Sequence, residues 1–378
     1  MFWLRIGLEV CAAAALAAVA YHYVGYPLLL RLAGAFARVP REPPAPAALP
    51  SLSVIIPCHN EGANLPAKLG DLRAADYPGD KIEVVVVSDG SDDDTAAVAE
   101  GVSGVRVVSW PQRRGKPAAL NAGVGASSGE ILVFTDANAR MPPRSLRELV
   151  APFADAGVGA ACGEQVITKG ASPERTYWQL ESHLKRLEAA VGSAVGADGS
   201  LYAVRRGLYR PVPEGRLIMD DFYISLEAVA AGYRLAYAPA AVAYEEALDD
   251  VGREFRRKAR IMAGSVAALA ALSGAIWRRI PCQLFSHKIL RWLGPAFLAV
   301  ALAAAAGATA AGSVFALVLL VAQLIFYAAA AAGWLLGGSR APFLFRGPYF
   351  FLLANAALAL GWLLYFFGRN KPAWEKLR

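Results

Sequence analysis

Val54-Ile55-Ile56-Pro57-Cys58-His59-Asn60-Glu61 is an apolar run stopped by a proline and followed at once by polar side chains; its reading decides the fold. Three later segments extend the pattern. Val84–Val87 is closed by Ser88-Asp89-Gly90-Ser91, Val105–Ser109 is a third apolar run, and Ile131–Thr135 leads into Asp136-Ala137-Asn138. Between them, Ala63–Ala75, Thr95–Glu100 and Pro117–Ala126 read as helices. Continuous Val/Ile runs alternating with helices predict a parallel sheet covered on both faces. Ligands of such sheets sit at the carboxyl ends of the strands. The polar groups Cys58–Glu61, Asp89–Asp94 and Asp136–Asn138 all fall at those ends, which marks one site.

Each polar cluster also has a plainer explanation. Asp89–Asp94 carries four carboxylates in six positions. Capping a helix and complementing its dipole needs fewer. The surplus suits a sugar hydroxyl, a base edge or a metal. Asp136 and Asn138 offer oxygens one residue apart, which can converge on a hard cation that neutralises a diphosphate. An Asx turn is the plain alternative. Arg113-Arg114-Gly115-Lys116 precedes a helix-like stretch and suits a phosphate, or is a solvated loop. The spacing of a P-loop is absent.

Met219-Asp220-Asp221-Phe222 puts adjacent acids before an amphipathic stretch. One of them, its pKa raised by the other, can act as a general base; the alternative is a helix cap. Arg256-Arg257-Lys258-Ala259-Arg260 reads on its own as a basic contact with a membrane surface. His22, His59, His183 and His287 show no metal spacing, and no Gly-x-Ser-x-Gly elbow occurs.

Composition sets the surroundings. Of 378 residues, 56% are hydrophobic and 18% charged, and mean hydropathy is +0.38. Soluble domains average about 45–50% apolar and about 25% charged, so a purely soluble enzyme is disfavoured and disorder is excluded. The net charge of +7 suits an anionic membrane or substrate; no nucleic-acid-binding signature accompanies it. Cys11, Cys58, Cys162 and Cys282 are far apart in sequence, which argues for buried thiols rather than a CxxC site or a disulfide.

Residues 10–30 lack Asp, Glu, Lys and Arg, as do residues 294–336 and 347–368. These lengths predict one amino-terminal and three carboxy-terminal spans, with a turn near Gly307–Gly312. The expected organisation is an anchor over residues 1–38, a Pro-rich linker over 39–50 and a globular domain over 51–250. Basic, interfacial helices over 251–293, membrane helices over 294–368 and a basic tail over 369–378 complete it. Arg253, Arg256, Arg257, Lys258, Arg260, Arg278, Arg279, Lys288 and Arg291 place the globular side in the cytoplasm. Three further crossings conflict with the basic tail, and the uncharged Met262–Trp277 is short for a span.

Taken in order, these motifs resemble a membrane-embedded family 2 glycosyltransferase of the polysaccharide-synthase-like branch. Pro57-Cys58-His59-Asn60-Glu61 stands for Pro-x-x-Asn-Glu, and Ser88–Asp93 for Asp-Asp-Gly-Ser-x-Asp. Arg114-Gly115-Lys116-Pro117-Ala118-Ala119-Leu120-Asn121-Ala122-Gly123 stands for Gly-Lys-x-x-Ala-Leu-Asn-x-Gly. Asp136-Ala137-Asn138 stands for Asp-x-Asp and Asp220-Asp221 for Glu-Asp. The resemblance implies an α/β GT-A catalytic domain, with a Rossmann-like mixed, mostly parallel sheet, plus transmembrane α-helices.

It also implies roles. A nucleotide-diphosphate sugar would be the donor, with Pro57, Glu61, Asp89 and Asp93 around the nucleoside and Arg114 or Lys116 near the phosphates. Asp136 and Asn138 would hold Mg²⁺ or Mn²⁺, and Asp221 would deprotonate the acceptor hydroxyl with inversion at the anomeric carbon. Asp198, Asp220, Arg257 and Arg260 would lie on the diphosphate or acceptor side. Asn138 replaces a charged ligand, which lowers the expected metal affinity. Arg257-Lys258-Ala259-Arg260-Ile261 replaces Gln-x-x-Arg-Trp, which weakens the case for processive synthesis. The acceptor is a polysaccharide or glycan, or else a polyprenyl-phosphate or other lipid-linked molecule. Membrane lipids and secretion subunits are the expected partners, in a bacterial inner membrane. A non-catalytic scaffold or sugar-nucleotide sensor is the competing class.

Overall fold

The structure, a computed structural model, describes residues 2–36, 48–168, 172–246 and 250–368. Most of the linker and the whole basic tail lie outside the described residues. Seven strands form one sheet in the order β3-β2-β1-β4-β6-β5-β7. They are β1 (Leu52–Cys58), β2 (Ile82–Asp89), β3 (Val105–Trp110), β4 (Ile131–Phe134), β5 (Val158–Ile167), β6 (Tyr202–Arg205) and β7 (Arg234–Glu245). β6 runs antiparallel to both neighbours and the other pairs are parallel.

The four Val/Ile runs become the first four strands. The last three have no such run: β5 is interrupted by two glycines and β7 is alanine-rich, and only pairing across the sheet makes them strands. Thr135 N donates to Ile55 O at 3.3 Å, so the next rung would run from residue 57 to the Thr135 carbonyl. Pro57 has no N–H to make it, and the pairing of β1 with β4 stops at Phe134.

Alternation along β1 splits the core. Ile55 packs with Leu120 and Phe134 on one face, Val54 and Ile56 with Leu65 and Leu146 on the other. Each such fully buried side chain contributes roughly 1.5–3 kcal/mol. Helices α3 (Leu65–Arg73), α4 (Thr95–Glu100), α5 (Lys116–Gly125) and α6 (Ser145–Val150) follow, and α7 (Ser172–Val191) and α8 (Asp220–Ala230) flank β6. At Gly129 a Cβ would lie 2.6 Å from the Leu52 carbonyl carbon, so the chain enters β4 through backbone contact. Gly129→Ala is expected to cost about 1–3 kcal/mol, as overpacking does. A melting temperature equal to that of the wild type would refute this close approach.

Before the sheet, α1 (Phe2–Ala20), a π-helical turn (Tyr21–Gly25) and α2 (Tyr26–Phe36) form one run of 35 residues apolar enough to cross a membrane. After it come α9 (Val251–Ala271), α10 (Ile276–Arg279), α11 (Pro281–Gln283), a second π-helical turn (Leu284–Ile289) and α12 (Leu290–Trp292). Then follow α13 (Gly294–Ala310), α14 (Val314–Leu335) and α15 (Phe343–Phe366). Three candidate spans result: Phe2–Phe36, α14 and α15. A fourth arises only if Pro281–Trp292 and α13, bent by 61°, count as one span.

Met262–Trp277 comprises the end of α9, a short connection and the start of α10. Gly361 of α15 meets Met262 so closely that a Cβ would fall 2.5 Å away, and small residues permit such contact between helices. α9 is therefore a connecting helix that docks α15 onto the domain built around the sheet. Cys58 and Cys162 are buried, as expected; Cys11 on α1 and Cys282 on α11 are exposed, and all four thiols are free.

Candidate active site

The carboxyl edge of the sheet is knitted before any ligand arrives. Asn60 adopts φ 57° after β1, and its side-chain oxygen accepts from Asp92 N at 2.7 Å. Glu61 N donates to Thr95 Oγ1 at 2.8 Å, and Asp93 accepts from Gly62 N at 3.1 Å and Thr95 N at 3.0 Å. The loops after β1 and β2 are thus one unit, in which Asp93, one residue before the N-cap Asp94, holds the first amide of α4.

Asp89 is fully buried. Its carboxylate accepts from Trp110 Nε1 at 2.8 Å, Arg114 N at 2.6 Å and Gly115 N at 2.8 Å. It pins the loop that leads into α5, while the Arg114 guanidinium lies 4.8 Å from the Trp110 ring centre. Gly115 takes φ 95° at the helix entry, a conformation that favours glycine. This pinning sets where Lys116 emerges.

Lys116 is the hub. Its ammonium lies 3.0 Å from Asp136 Oδ1 and 3.4 Å from Asp220 Oδ2. A Cβ placed on Gly199 would be 3.4 Å from Asp221 Oδ2 and 3.7 Å from both Asp136 Oδ2 and Lys116 Nζ. Three charged groups from three segments thus border one glycine, where an added methyl group would sit in ordinary contact with all of them. Burial alone would lower the Lys116 pKa, but Asp136, Asp220 and Asp221 more than offset it and hold the ammonium charged. Burial, with the Asp220 charge beside it, pushes Asp221 up to about 7, against the pull of Lys116. Asp221 also accepts from Phe222 N at 2.7 Å at the start of α8, and Tyr202 OH donates to Asp220 at 3.3 Å.

A cavity of about 190 Å³ opens over these groups. Lys116, Asp136, Asp220, Asp221, Arg257 and Arg260 line it, so six of the residues picked from sequence meet there. Pro57, Glu61, Asp89, Asp93 and Arg114 do not line it; they lie at the ends of β1 and β2 and in the loops beside them. Asn138 does not line it either. Among the described residues no group of three His, Cys, Asp or Glu could hold a metal. One inward carboxylate at Asp136 fits a hard cation bound chiefly through substrate phosphates, as Mg²⁺ commonly is.

Several participants were not picked from sequence. Gln165 and Glu245, joined at 2.8 Å, line the cavity with Trp178. Lys68 is fully buried below it and donates to Thr135 Oγ1 at 2.7 Å and Ala139 O at 2.6 Å, gripping the Asp136 loop from both sides. Burial lowers its pKa to about 7, with Asp136 opposing. Asp198, 9% exposed, forms an ion pair with buried Lys185. Glu181, Lys185 and Glu188 recur at helical spacing on α7, a pattern that in sequence looks like a solvated face. Breaking a buried pair by removing one partner costs about 3–5 kcal/mol. Lys185→Met is therefore expected to lower the melting temperature markedly; a variant as stable as wild type would show the pair contributes nothing.

The sheet order, the antiparallel β6 and a site at the carboxyl edge define a GT-A fold. Residues 53–209 match the model of the family Glycosyl transferase family 2 and form a glycosyltransferase domain of that family. An N-acetylglucosaminyltransferase of Rhizobium leguminosarum bv. viciae is 27% identical over 56% of this chain and 55% of its own length. An undecaprenyl-phosphate 4-deoxy-4-formamido-L-arabinose transferase of Aeromonas hydrophila is 30% identical over 42% of this chain and 48% of its own. The chain thus spans about half the length of these curated relatives. The structure of a mannosyltransferase from Pyrobaculum calidifontis, in complex with GDP-Man and Mn²⁺, superposes with a TM-score of 0.71 at 27% identity. It covers 95% of this chain and 100% of that one.

Proposed function

We propose that the protein transfers a sugar, with inversion, from a nucleoside-diphosphate sugar to a hydroxyl of a glycan or lipid-linked acceptor at a membrane. The observation that carries this reading is the convergence of Asp136, Lys116 and Asp221 around Gly199. Asp221 accepts the hydroxyl proton, because a carboxyl that titrates near neutral pH is matched to that task. The acceptor oxygen attacks the anomeric carbon, and the C1–O bond breaks with its electrons leaving on the nucleoside diphosphate. Lys116, Arg257 and Arg260 face the diphosphate and stabilise its developing charge. Asp136 would hold Mg²⁺ or Mn²⁺, which supplies further charge stabilisation to the leaving group when bound.

The mannosyltransferase structure in complex with GDP-Man and Mn²⁺ supports both the donor class and the metal. The altered Arg257–Ile261 segment favours single transfer over polymer export. The basic residues of Val251–Arg291 favour a catalytic domain on the cytoplasmic side of a bacterial inner membrane. The intact cluster of Asp136, Lys116 and Asp221 weighs against a non-catalytic scaffold.

The test is release of nucleoside diphosphate by the purified protein from a panel of UDP- and GDP-sugars, with Mg²⁺, Mn²⁺ or EDTA. Metal-dependent release from one donor is expected. Silence with every donor, in folded protein supplied with membranes, would refute the reading.

A further inference from the structure

A second cavity, also of about 190 Å³, adjoins the first, and Trp178, Met219, Asp221, Arg257 and Ile261 line both. Asp221 is thus reachable from two sides. The lining of the second cavity changes character away from Asp221. Asp198 stands with Asp221 at the reacting end. Arg257 and Lys258 come from α9, and Lys288 and Arg291 from the segment that runs into α13. Ala354 and Leu358 come from α15, and His22 and Tyr23 from the first candidate span. The part of the wall that Ala354 and Leu358 form offers a sugar chain no side-chain hydrogen bond, and it suits a hydrocarbon tail.

The cationic groups are held in place. Glu181 accepts from Lys288 Nζ at 2.6 Å and from Arg291 at 2.7 Å. His287, fully buried, bonds Glu188 at 2.8 Å, and His22 Nδ1 bonds Ser286 O at 2.9 Å. The second bond joins the two π-helical turns, Tyr21–Gly25 and Leu284–Ile289, and the first ties the latter to α7. Such turns are rare and gather at functional sites. Here they bring the first span, α7 and the segment before α13 together around the cavity.

We propose that this cavity is the acceptor subsite and takes a membrane lipid that carries a sugar through a phosphate linkage. The sugar hydroxyl faces Asp221 and Asp198. The phosphate lies beside Arg257, Lys258, Lys288 and Arg291. The tail leaves past Ala354 and Leu358 between the membrane helices. The proposal rests on the transferase reading above.

The charge distribution separates this acceptor from a bare lipid phosphate. A phosphate nucleophile is ionised at neutral pH, needs no base, and is repelled by carboxylates. Asp136, Asp198, Asp220 and Asp221 collect at the reacting end; Arg257, Lys258, Lys288 and Arg291 extend from there toward the membrane segments, with Glu181 the one carboxylate among them. That order fits a hydroxyl nucleophile with an anion one sugar away. In the step, the sugar hydroxyl oxygen bonds to C1 of the donor, and the hydroxyl proton passes to Asp221. The C1–O bond to the diphosphate breaks with its electron pair.

The experiment uses the full chain in detergent with whichever donor supports nucleotide release. Three probes are compared: farnesyl-diphosphate-linked N-acetylglucosamine, farnesyl phosphate and free chitobiose. The lipid-linked sugar is expected to be glycosylated at least ten times faster than either. Ala354→Trp and Leu358→Trp, each checked for an unchanged melting temperature, are expected to raise its KM about tenfold while the donor KM stays put. Faster transfer to farnesyl phosphate, equal transfer to chitobiose, or an unmoved acceptor KM in both tryptophan variants would overturn the assignment. Nucleotide release without transfer to any lipid probe would overturn it too and leave the transferase reading standing. Absence of release from every donor would instead sink the transferase reading.

Discussion

Asp221→Asn is expected to lower kcat for glycosyl transfer by about 10²–10⁴, the size of a positioned general base, while nucleotide-sugar binding persists. Asparagine keeps the shape and the hydrogen bond from Phe222 N but accepts no proton. The same residue predicts a pH dependence. Burial, reinforced by Asp220, raises the Asp221 carboxyl to about 7, so in the free enzyme it is protonated below that pH and ionised above it. A base must be ionised to work. The kcat/KM of the wild type should therefore fall as pH drops through about 7, with a slope near one, because kcat/KM reports the free enzyme. A flat profile between pH 5.5 and about 8, or an Asp221→Asn variant that turns over like wild type, would remove Asp221 from the chemistry.

The second large effect falls on Asp136. Asp136→Ala takes away the one carboxylate that enters the cavity from β4 and leaves Lys116 with Asp220 as its nearest partner. Loss of one preorganised electrostatic contact costs about 10²–10³ in kcat, and Mn²⁺ affinity measured with nucleoside diphosphate present should collapse. Asn138→Ala is the internal contrast. Asn138 lies outside the lining of the cavity, so its loss should leave Mn²⁺ affinity close to that of wild type. Equal damage from both variants would mean that Asn138 turns inward when donor binds.

The two effects explain why the edge of the sheet is built as it is. Asp89 spends its carboxylate on backbone amides and an indole, and so fixes the start of α5. Lys68 holds the far side of the Asp136 loop, and Thr135 Oγ1 reaches on to Ser200 O at 2.6 Å. Loops fixed from below in this way need little reorganisation when charge develops, the condition under which electrostatic stabilisation is most effective.

Much of this was legible in the residues. The runs Val54–Ile56, Val84–Val87, Val105–Ser109 and Ile131–Phe134 are strands because a buried parallel sheet selects continuous β-branched sequence. That signal is local, so the sequence determined the first half of the sheet, its helices and the placing of Asp89, Asp136 and Lys116 at one edge. It also determined that Asp220-Asp221 heads a helix and that apolar runs long enough to cross a membrane flank the domain. What lacks a local signal was decided by tertiary structure. β5 and β7 are strands because partners pair with them, despite the glycines of the one and the alanines of the other. Glu181, Lys185 and Glu188 look like a wet helix face, yet each is buried, because Lys288, Arg291, His287 and Asp198 arrive from distant segments to meet them. The convergence of Lys116, Asp136 and Asp221 on Gly199 likewise depends on distances across four elements, and spacing along the chain does not encode those.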